Sequence, residues 1–395
     1  MGNNRPKVLD LAERCCGCGA CASVCPKHCI EMIPDDFGFT YPNVDVDRCV
    51  SCGACERACT ALSFQSPDVT IEALWALATD DGLRMRSSSG GLFGVFALDA
   101  LRRGGSVYGA AFIDGFRAVR HVRVADESAL DGIMRSKYVQ SVIGPDVYSS
   151  LDADLRKGIP VLFAGTACQV RGIKGYLATR RVPIDTLVCI DVICHGVPSP
   201  ELWRRWLDWK ANGSELDVNF RNKKTGWETY SVSYGPGMIA SSGEDWYMKA
   251  FLGNASLRAS CLDCPAKRSS GSDITLGDFW GVQAYHREAY DERGTSAVLI
   301  NSKVGRKAFE RIAGAIVYGP SSVDKVAAGN PSLVFSVVPY PKREAFLADV
   351  AKGLSIPELM QSWSFASSFA QRLSSFVRVI RHKTQGAIAH KSSLP

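Results

Sequence analysis

Between Arg14 and Ile30 the chain reads RCCGCGACASVCPKHCI, six cysteines in seventeen residues. Disulfides, a zinc knuckle and an iron-sulfur cluster are the three chemistries that use sulfur at this density, and each demands its own compartment and spacing. Cys15, Cys18, Cys21 and Cys25 followed by Pro26 obey C-x2-C-x2-C-x3-C-P, and Cys49, Cys52, Cys55 and Cys59 repeat the spacing, with Thr60 in place of the proline. Three thiolates at this spacing hold one corner of a cubane while the distant fourth reaches across, so each half completes the other's cluster. The expected 4Fe-4S ligand sets are therefore Cys15, Cys18, Cys21 and Cys59 for one cluster, and Cys49, Cys52, Cys55 and Cys25 for the other. Tetrahedral zinc also uses C-x2-C pairs, but a third cysteine at the same short spacing fits zinc poorly. Gly17, Gly19 and Gly53 let backbone amides turn toward the sulfurs. Cys16 and Cys29 fall outside the spacing and read as small buried fillers.

Four further cysteines stand at strand ends or in loops: Cys168 in GTACQVRGIK, Cys194 in ICHGVPSP, and Cys261 and Cys264 in CLDCPAKRSSGSDITLGDFWG. Gathered from three segments they form a candidate third 4Fe-4S site, with structural zinc and scattered thiols left open by spacing alone. Cys189, inside the apolar run LVCIDVI, reads as core. His195 beside Cys194 is the candidate catalytic proton donor, set against ordinary loop packing. In RMRSSSGGLFGVFALDALRRGG, Ser88, Ser89, Gly90 and Gly91 precede an apolar helix. Serine caps and exposed N–H groups there make an anion site beside Arg84 and Arg86 that a dinucleotide pyrophosphate would fit. It lacks G-x-G-x-x-G, so a standard Rossmann NAD site is not supported. No Ser-His-Asp triad or carboxylate pair supports hydrolysis.

These residues need elements to hold them. At 395 residues with 46% hydrophobic content the chain suits two or three globular domains. Short β-branched runs such as VLFAG, LVCIDVIC and AVLIN alternate with helical patterns, which is α/β architecture. Ser66 to Asp68 reads as a linker. Phe365, Phe369, Leu373, Phe376 and Ile380 share one helical face, with Arg378, Arg381, His382 and Lys383 at its end, suited to the body, a second subunit or an anionic membrane surface. The expected division is 1–66 with the two cysteine motifs, 67–180 and 181–345 as the α/β body, the latter with the candidate third cluster site, and a basic helical tail over 346–395. The start MGNNRPKVLDLAERCC has no apolar h-region and no apolar run reaches membrane-spanning length, so a cytoplasmic location is expected, where fifteen cysteines are thiolate ligands rather than disulfides. A net charge of +6 without long basic runs points to small anionic partners and away from nucleic acid.

Residues 8 to 62 resemble a bacterial two-cluster ferredoxin. SSSGG, SKYVQS at Ser136 to Ser141, GTACQ, CHGVPSP, FRNKKTGW at Phe220 to Trp227 and CLDC…SDITLGDFWG, in this order, resemble the coenzyme F420 hydrogenase/dehydrogenase beta-subunit family up to about residue 345. The resemblance implies an iron-sulfur flavoprotein oxidoreductase with FAD in the α/β body, with 1–66 as a two-cluster ferredoxin domain, 67–180 as the flavin-binding region and 181–345 as the region with the third cluster. It favours the third cluster, and position matching implies flavin contacts at Ser88, Ser89, Gly90, Gly91, Lys137 and Thr166. Asp273 and Asp278 are expected near the Cys264 loop as backbone N–H acceptors or turn acids. The family pattern usually has proline where this chain has Ala167, which loosens the loop beside Cys168. The expected function is electron transfer between clusters and FAD, reducing an unidentified substrate with electrons from reduced coenzyme F420 or ferredoxin. The alternative is a non-catalytic electron-transfer subunit of a hydrogenase or dehydrogenase; a homo-oligomer is a further expected assembly.

Overall fold

The computed structural model describes residues 5–63, 70–267 and 270–365. The expected linker at 66–68 lies outside these residues, as do Phe369, Leu373, Phe376, Ile380 and the basic residues after them. The ferredoxin-like segment contains the helix Ala20–Val24, an antiparallel pair β1 (Ile30–Pro34) and β2 (Thr40–Val44), and the helix Ala54–Ala58. Gly19 and Gly53 stand just before the two helices at φ 79° and 69°. That left-handed turn follows Cys18 and Cys52 and suits glycine.

The body is built on one large sheet. Its strands in chain order are β3 (Glu72–Ala78), β4 (Ser106–Ile113), β5 (Ala118–Val124), β6 (Ser141–Val142), β7 (Val161–Thr166) and β8 (Leu187–Val192). A separate three-stranded antiparallel sheet follows, β9 (Asn219–Asn222), β10 (Ser231–Ser233) and β11 (Ile239–Ser241). Then β12 (Ile274–Asp278), β13 (Ser296–Ile300) and β14 (Ile316–Pro320) rejoin the large sheet, whose nine strands run β14-β3-β13-β12-β8-β7-β4-β5-β6. Its centre, β12-β8-β7-β4, is parallel, while β13, β3 and β14 pair antiparallel on one flank. Strands β7 and β8 are joined by the helix Ala167–Arg180, a βαβ unit. The VLFAG, LVCIDV and AVLI runs form β7, β8 and β13 as their composition predicts; β8 and β13 are buried almost throughout, and β7 over its first half. The mixed α/β class is thus the observed one. Strands on both sides of residue 180 share this sheet.

The two parts meet along the helix Ala167–Arg180. Ala20, Val24, Ala54 and Ala58 join Val170, Ile173, Tyr176 and Tyr148 in one core. Gly172 and Gly175 allow the approach: a Cβ on Gly172 would lie 2.9 Å from Cys18 Sγ, and one on Gly175 would lie 2.4 Å from the Ala58 carbonyl oxygen. Tyr148 Oη donates to the Cys18 carbonyl at 2.8 Å, and Ser199 Oγ donates to the Phe37 carbonyl at 2.7 Å. A cluster domain held this way shares its core with the body, in place of hanging on a linker.

Candidate metal centres

Three thiol groups stand out, two within the ferredoxin-like segment and a third where the segment meets the body. Cys25, Cys49, Cys52 and Cys55 line an outer cavity of about 230 Å³ together with Cys29. Cys15, Cys18, Cys21 and Cys59 line an inner cavity, narrow at about 20 Å³, together with Cys16. These are the two groupings the repeated spacing predicts, with the fourth cysteine of each motif crossing to the other's site. The third group is larger: Cys168, Cys194, Cys261 and Cys264 line a cavity of about 460 Å³ at the carboxyl ends of β7 and β8. That edge of a parallel sheet is where open α/β folds place ligands. Its wall also carries Cys16, Thr166, Asp191, His195, Arg258 and Lys267. Among the described residues no three His, Cys, Asp or Glu side chains are closed up to hold a single metal ion.

The donor chemistry fits a cubane at each site, since each supplies four thiols with cations or amides close by. Burial raises the thiol pKa values: Cys55 and Cys59 are pushed up to about 11 and Cys261 to about 12, and Cys15 and Cys194 are raised for the same reason. Iron must displace those protons, so that cluster assembly releases them. Main-chain donors already face the sulfurs, with Gly17 N 3.4 Å from Cys15 Sγ and Val197 N 3.4 Å from Cys261 Sγ. Lys267 Nζ donates to the Cys194 and Ser332 carbonyls beside the third site. Ser336 Oγ accepts from Cys264 N at 2.8 Å.

Of the two cysteines outside the spacing, Cys29 is buried as expected and Cys16 is half-buried. Cys29 is buried with its sulfur 3.4 Å from Cys25 Sγ. Cys16 lines both the inner and the third cavity. The neighbouring thiols Cys168 and Cys18 lower the Cys16 pKa well below the ordinary thiol value, and Cys16 raises theirs well above it. Adjacency to Cys15 was the only hint in the sequence. Cys189 is fully buried in the core, with burial raising its thiol to about 12.

The residues matched to flavin contacts fall in two places. Gly91, not a serine, caps the helix Leu92–Arg102, at φ 89° and without a side-chain cap. Ser88 Oγ accepts from Ser136 N at 2.8 Å, Ser89 Oγ donates to the Thr295 carbonyl, and Gly90 N donates to Ser296 Oγ. The carbonyls of Ser88 and Ser89 accept from Arg221 Nη2 and Lys223 Nζ. Lys137 is not a solvated charge: burial lowers its pKa to about 7, and its Nζ donates to the Met134 carbonyl at 2.6 Å. Thr166 alone of the six lines the third cavity. It forms a capping box with Gln169 at the head of the helix Ala167–Arg180, where Ala167 occupies the first helical position. Proline is favoured at that position, so the chain keeps the turn by its cap.

His195 Nε2 pairs with Asn254 Oδ1 at 2.7 Å, and its ring meets Phe251 edge-on at 5.2 Å, with burial lowering its pKa. Asp273 accepts from Cys189 N at 2.8 Å and so ties β8, not the Cys264 loop. Asp278 is held by Arg221 in a two-point ion pair and by Trp227 Nε1. Residue type gave no means of separating these partners from turn roles.

With this geometry in place, comparison with known proteins adds two regional matches. Residues 14–62 match the family described as 4Fe-4S dicluster domain. Residues 160–324 match the family that describes the C terminus of the Coenzyme F420 hydrogenase/dehydrogenase beta subunit, a span that takes in all four cysteines of the third cavity. A curated protein of Sinorhizobium fredii named "Putative ferredoxin-3" is 59% identical over 29 residues, which is 7% of this chain and 28% of that relative. A chain in the solved F420-reducing [NiFe] hydrogenase complex from Methanosarcina barkeri is similar at 18% identity and a TM-score of 0.49, over 78% of this chain and 96% of that one. No helix among the described residues is long and apolar enough to cross a membrane.

Proposed function

We propose, from a dicluster iron-sulfur domain at the amino end and a hydrogenase/dehydrogenase beta-subunit region behind it, that this chain is an iron-sulfur flavoprotein oxidoreductase. Electrons pass between the segment and the body by way of three [4Fe-4S] sites: Cys25, Cys49, Cys52 and Cys55; then Cys15, Cys18, Cys21 and Cys59; then Cys168, Cys194, Cys261 and Cys264. The domains proposed are 1–66, 67–180, 181–345 and a tail over 346–395. The observation that carries the reading is the shared wall at Cys16, which puts the inner and third thiol groups side by side. Cubanes supply one-electron transfer, and FAD supplies the exchange between one-electron and two-electron chemistry.

The chain's own residues hold this path. Arg258 donates to the Cys15 and Thr40 carbonyls at 2.7 and 2.9 Å and to Gln140 Oε1 at 3.1 Å, three residues before Cys261 in sequence. It is fully buried, so its positive charge acts in a low-dielectric seam between two groups of thiolates. For FAD, the proposed contact is the Ser87–Gly91 turn, which stands at the amino end of an eleven-residue helix where free amides favour an anion, and whose Ser88 and Ser89 carbonyls accept from Arg221 and Lys223. Lys137 and the serine hydroxyls would have to exchange their present protein partners to touch a flavin. His195 lies at the third cavity with burial lowering its pKa, and its proposed role is to deliver a proton to a substrate reduced beside that site.

Reduced coenzyme F420 or ferredoxin is the proposed donor. The test is anaerobic purification, reconstitution with FAD, and titration with dithionite, then reduced F420 or ferredoxin. Retained flavin that is reduced together with the iron chromophore is the expected result. Complete dithionite bleaching with no flavin retained would remove FAD from the reading. A second reading, an electron-transfer subunit docked to a larger partner, is favoured by one surface. Phe335 and Val338 are 61% and 78% exposed on the loop whose Ser336 holds the Cys264 amide. Apolar surface beside a redox site suits a docking protein.

A further inference from the structure

Arg258 is tied to both thiol groups of the seam. Its side chain reaches the inner one: Nε donates to the Cys15 carbonyl at 2.7 Å, and a Cβ on Gly17, whose amide faces Cys15 Sγ, would stand 3.0 Å from Nη1. Its main chain holds the third: the Arg258 carbonyl accepts from Cys261 N at 3.0 Å, and its N donates at 2.9 Å to the carbonyl of Val197, whose own N lies 3.4 Å from Cys261 Sγ. The other guanidinium bonds go to uncharged acceptors, the Thr40 carbonyl and Gln140 Oε1, and the centre of the Tyr41 ring lies 4.3 Å from Cζ. A fully buried cation without a carboxylate partner is costly unless negative charge stands near it. Iron thiolates on the two sides of Arg258 would supply that charge.

We propose that Arg258 sets the reduction potentials of the inner and third clusters together, its one buried charge raising both. This rests on the three-cluster reading above. A reduced cluster carries one more negative charge than an oxidised one, so burial alone opposes its reduction, and a cation in the same low-dielectric seam favours it. The outer site has cations of another kind. Arg5, Lys7 and Lys27 line it but are exposed, where water and salt screen them. The bias that Arg258 contributes therefore runs inward, drawing an electron from the outer cluster toward the seam. No bond to iron changes and no proton moves in this role, which acts on the clusters through the field of a fixed charge.

The experiment uses the full chain purified without oxygen as wild type, Arg258→Met, Arg258→Lys and Gln140→Glu, with iron measured first and each cluster then followed by EPR during a potentiometric titration. Gln140→Glu separates charge from clamp, because it keeps an acceptor on Nη1 and sets a carboxylate against the guanidinium. About twelve iron per chain is expected in wild type and in Gln140→Glu. In Gln140→Glu and Arg258→Met the inner and third clusters should each become roughly tenfold harder to reduce, about 59 mV lower for one electron, with the outer cluster in place. Arg258→Lys keeps the charge and loses the planar fork, so it should stay near wild type. If Arg258→Met loses iron, Gln140→Glu carries the comparison. Full iron in Gln140→Glu with both potentials unchanged, a shift of one cluster only or of all three alike, or a lysine variant that follows methionine would overturn the shared charge alone. Iron lost from Gln140→Glu but not from wild type would make the pair a scaffold for assembly and overturn the electrostatic role. About eight iron already in wild type would overturn the third cluster and the shared role with it.

Discussion

Arg258 is fully buried, with no carboxylate among the described residues on its guanidinium, and its three hydrogen bonds go to two carbonyls of the ferredoxin-like segment and to Gln140. Each such charged bond contributes about 1.5 to 3 kcal/mol, with losses that overlap at one site. Arg258→Met should therefore destabilise the chain by roughly 3 kcal/mol, read as the shift in the urea midpoint under anaerobic conditions. Lys at this position keeps the charge and loses the planar fork, so Arg258→Lys should fall between. A midpoint unchanged in Arg258→Met would mean that the seam does not depend on it. Lys137 supplies the pH test. Its folded pKa of about 7 lies below the ordinary 10.5 because burial disfavours the charge. Between these values the unfolded chain binds the proton and the folded chain does not, so stability rises with pH across that window and the full penalty applies below about 7. Lys137→Met should flatten the rise by up to about 1.4 kcal/mol per pH unit. Equal pH slopes for the two proteins would contradict the burial assigned to Lys137. At this scale the ligand cysteines were legible because their spacing is local. The placing of Cys16 and Arg258 was not, since their partners Gln140 and Cys15 lie 124 and 243 residues away in sequence.

The helix Ala167–Arg180 is the element on which the cluster segment rests. Gly172 and Gly175 sit mid-helix, where alanine is intrinsically better by roughly 1 kcal/mol. Contact opposes that gain. A Cβ at Gly175 would stand 2.4 Å from a backbone oxygen, which cannot rotate away, and one at Gly172 would meet the Cys18 side chain at 2.8 Å. Overpacking of this kind costs about 1 to 3 kcal/mol, so the net sign for Gly175→Ala is destabilising, and the break falls between segment and body. Limited proteolysis should then release the amino-terminal segment sooner than in wild type. A Gly175→Ala chain equally resistant to protease would show that the helix does not set the junction. From the sequence, the α/β alternation and the β7, β8 and β13 runs were readable because buried central strands are continuously apolar. The antiparallel flank of β13, β3 and β14 was not, because pairing partners are chosen by tertiary packing, and β3 joins its neighbours across more than two hundred residues. Thr166 was legible as a turn residue; only the fold shows that its turn opens onto the third cavity.

Across the whole molecule, the inner and third thiol groups share the wall at Cys16, and the exposed Phe335 and Val338 stand on the loop whose Ser336 accepts from the Cys264 amide. Charging that loop by Phe335→Asp with Val338→Asp should leave the iron content unchanged and reduce copurification of a larger partner from the native cell. Undiminished copurification would remove this loop from the docking surface. The measurement nearest the central claim is iron, acid-labile sulfide, zinc and flavin per polypeptide in the anaerobically purified chain. Three cubanes predict about twelve iron with matching sulfide, together with one FAD. About eight iron would leave Cys168, Cys194, Cys261 and Cys264 without a cluster and break the path at the shared wall, and stoichiometric zinc without iron would contradict the account at every site.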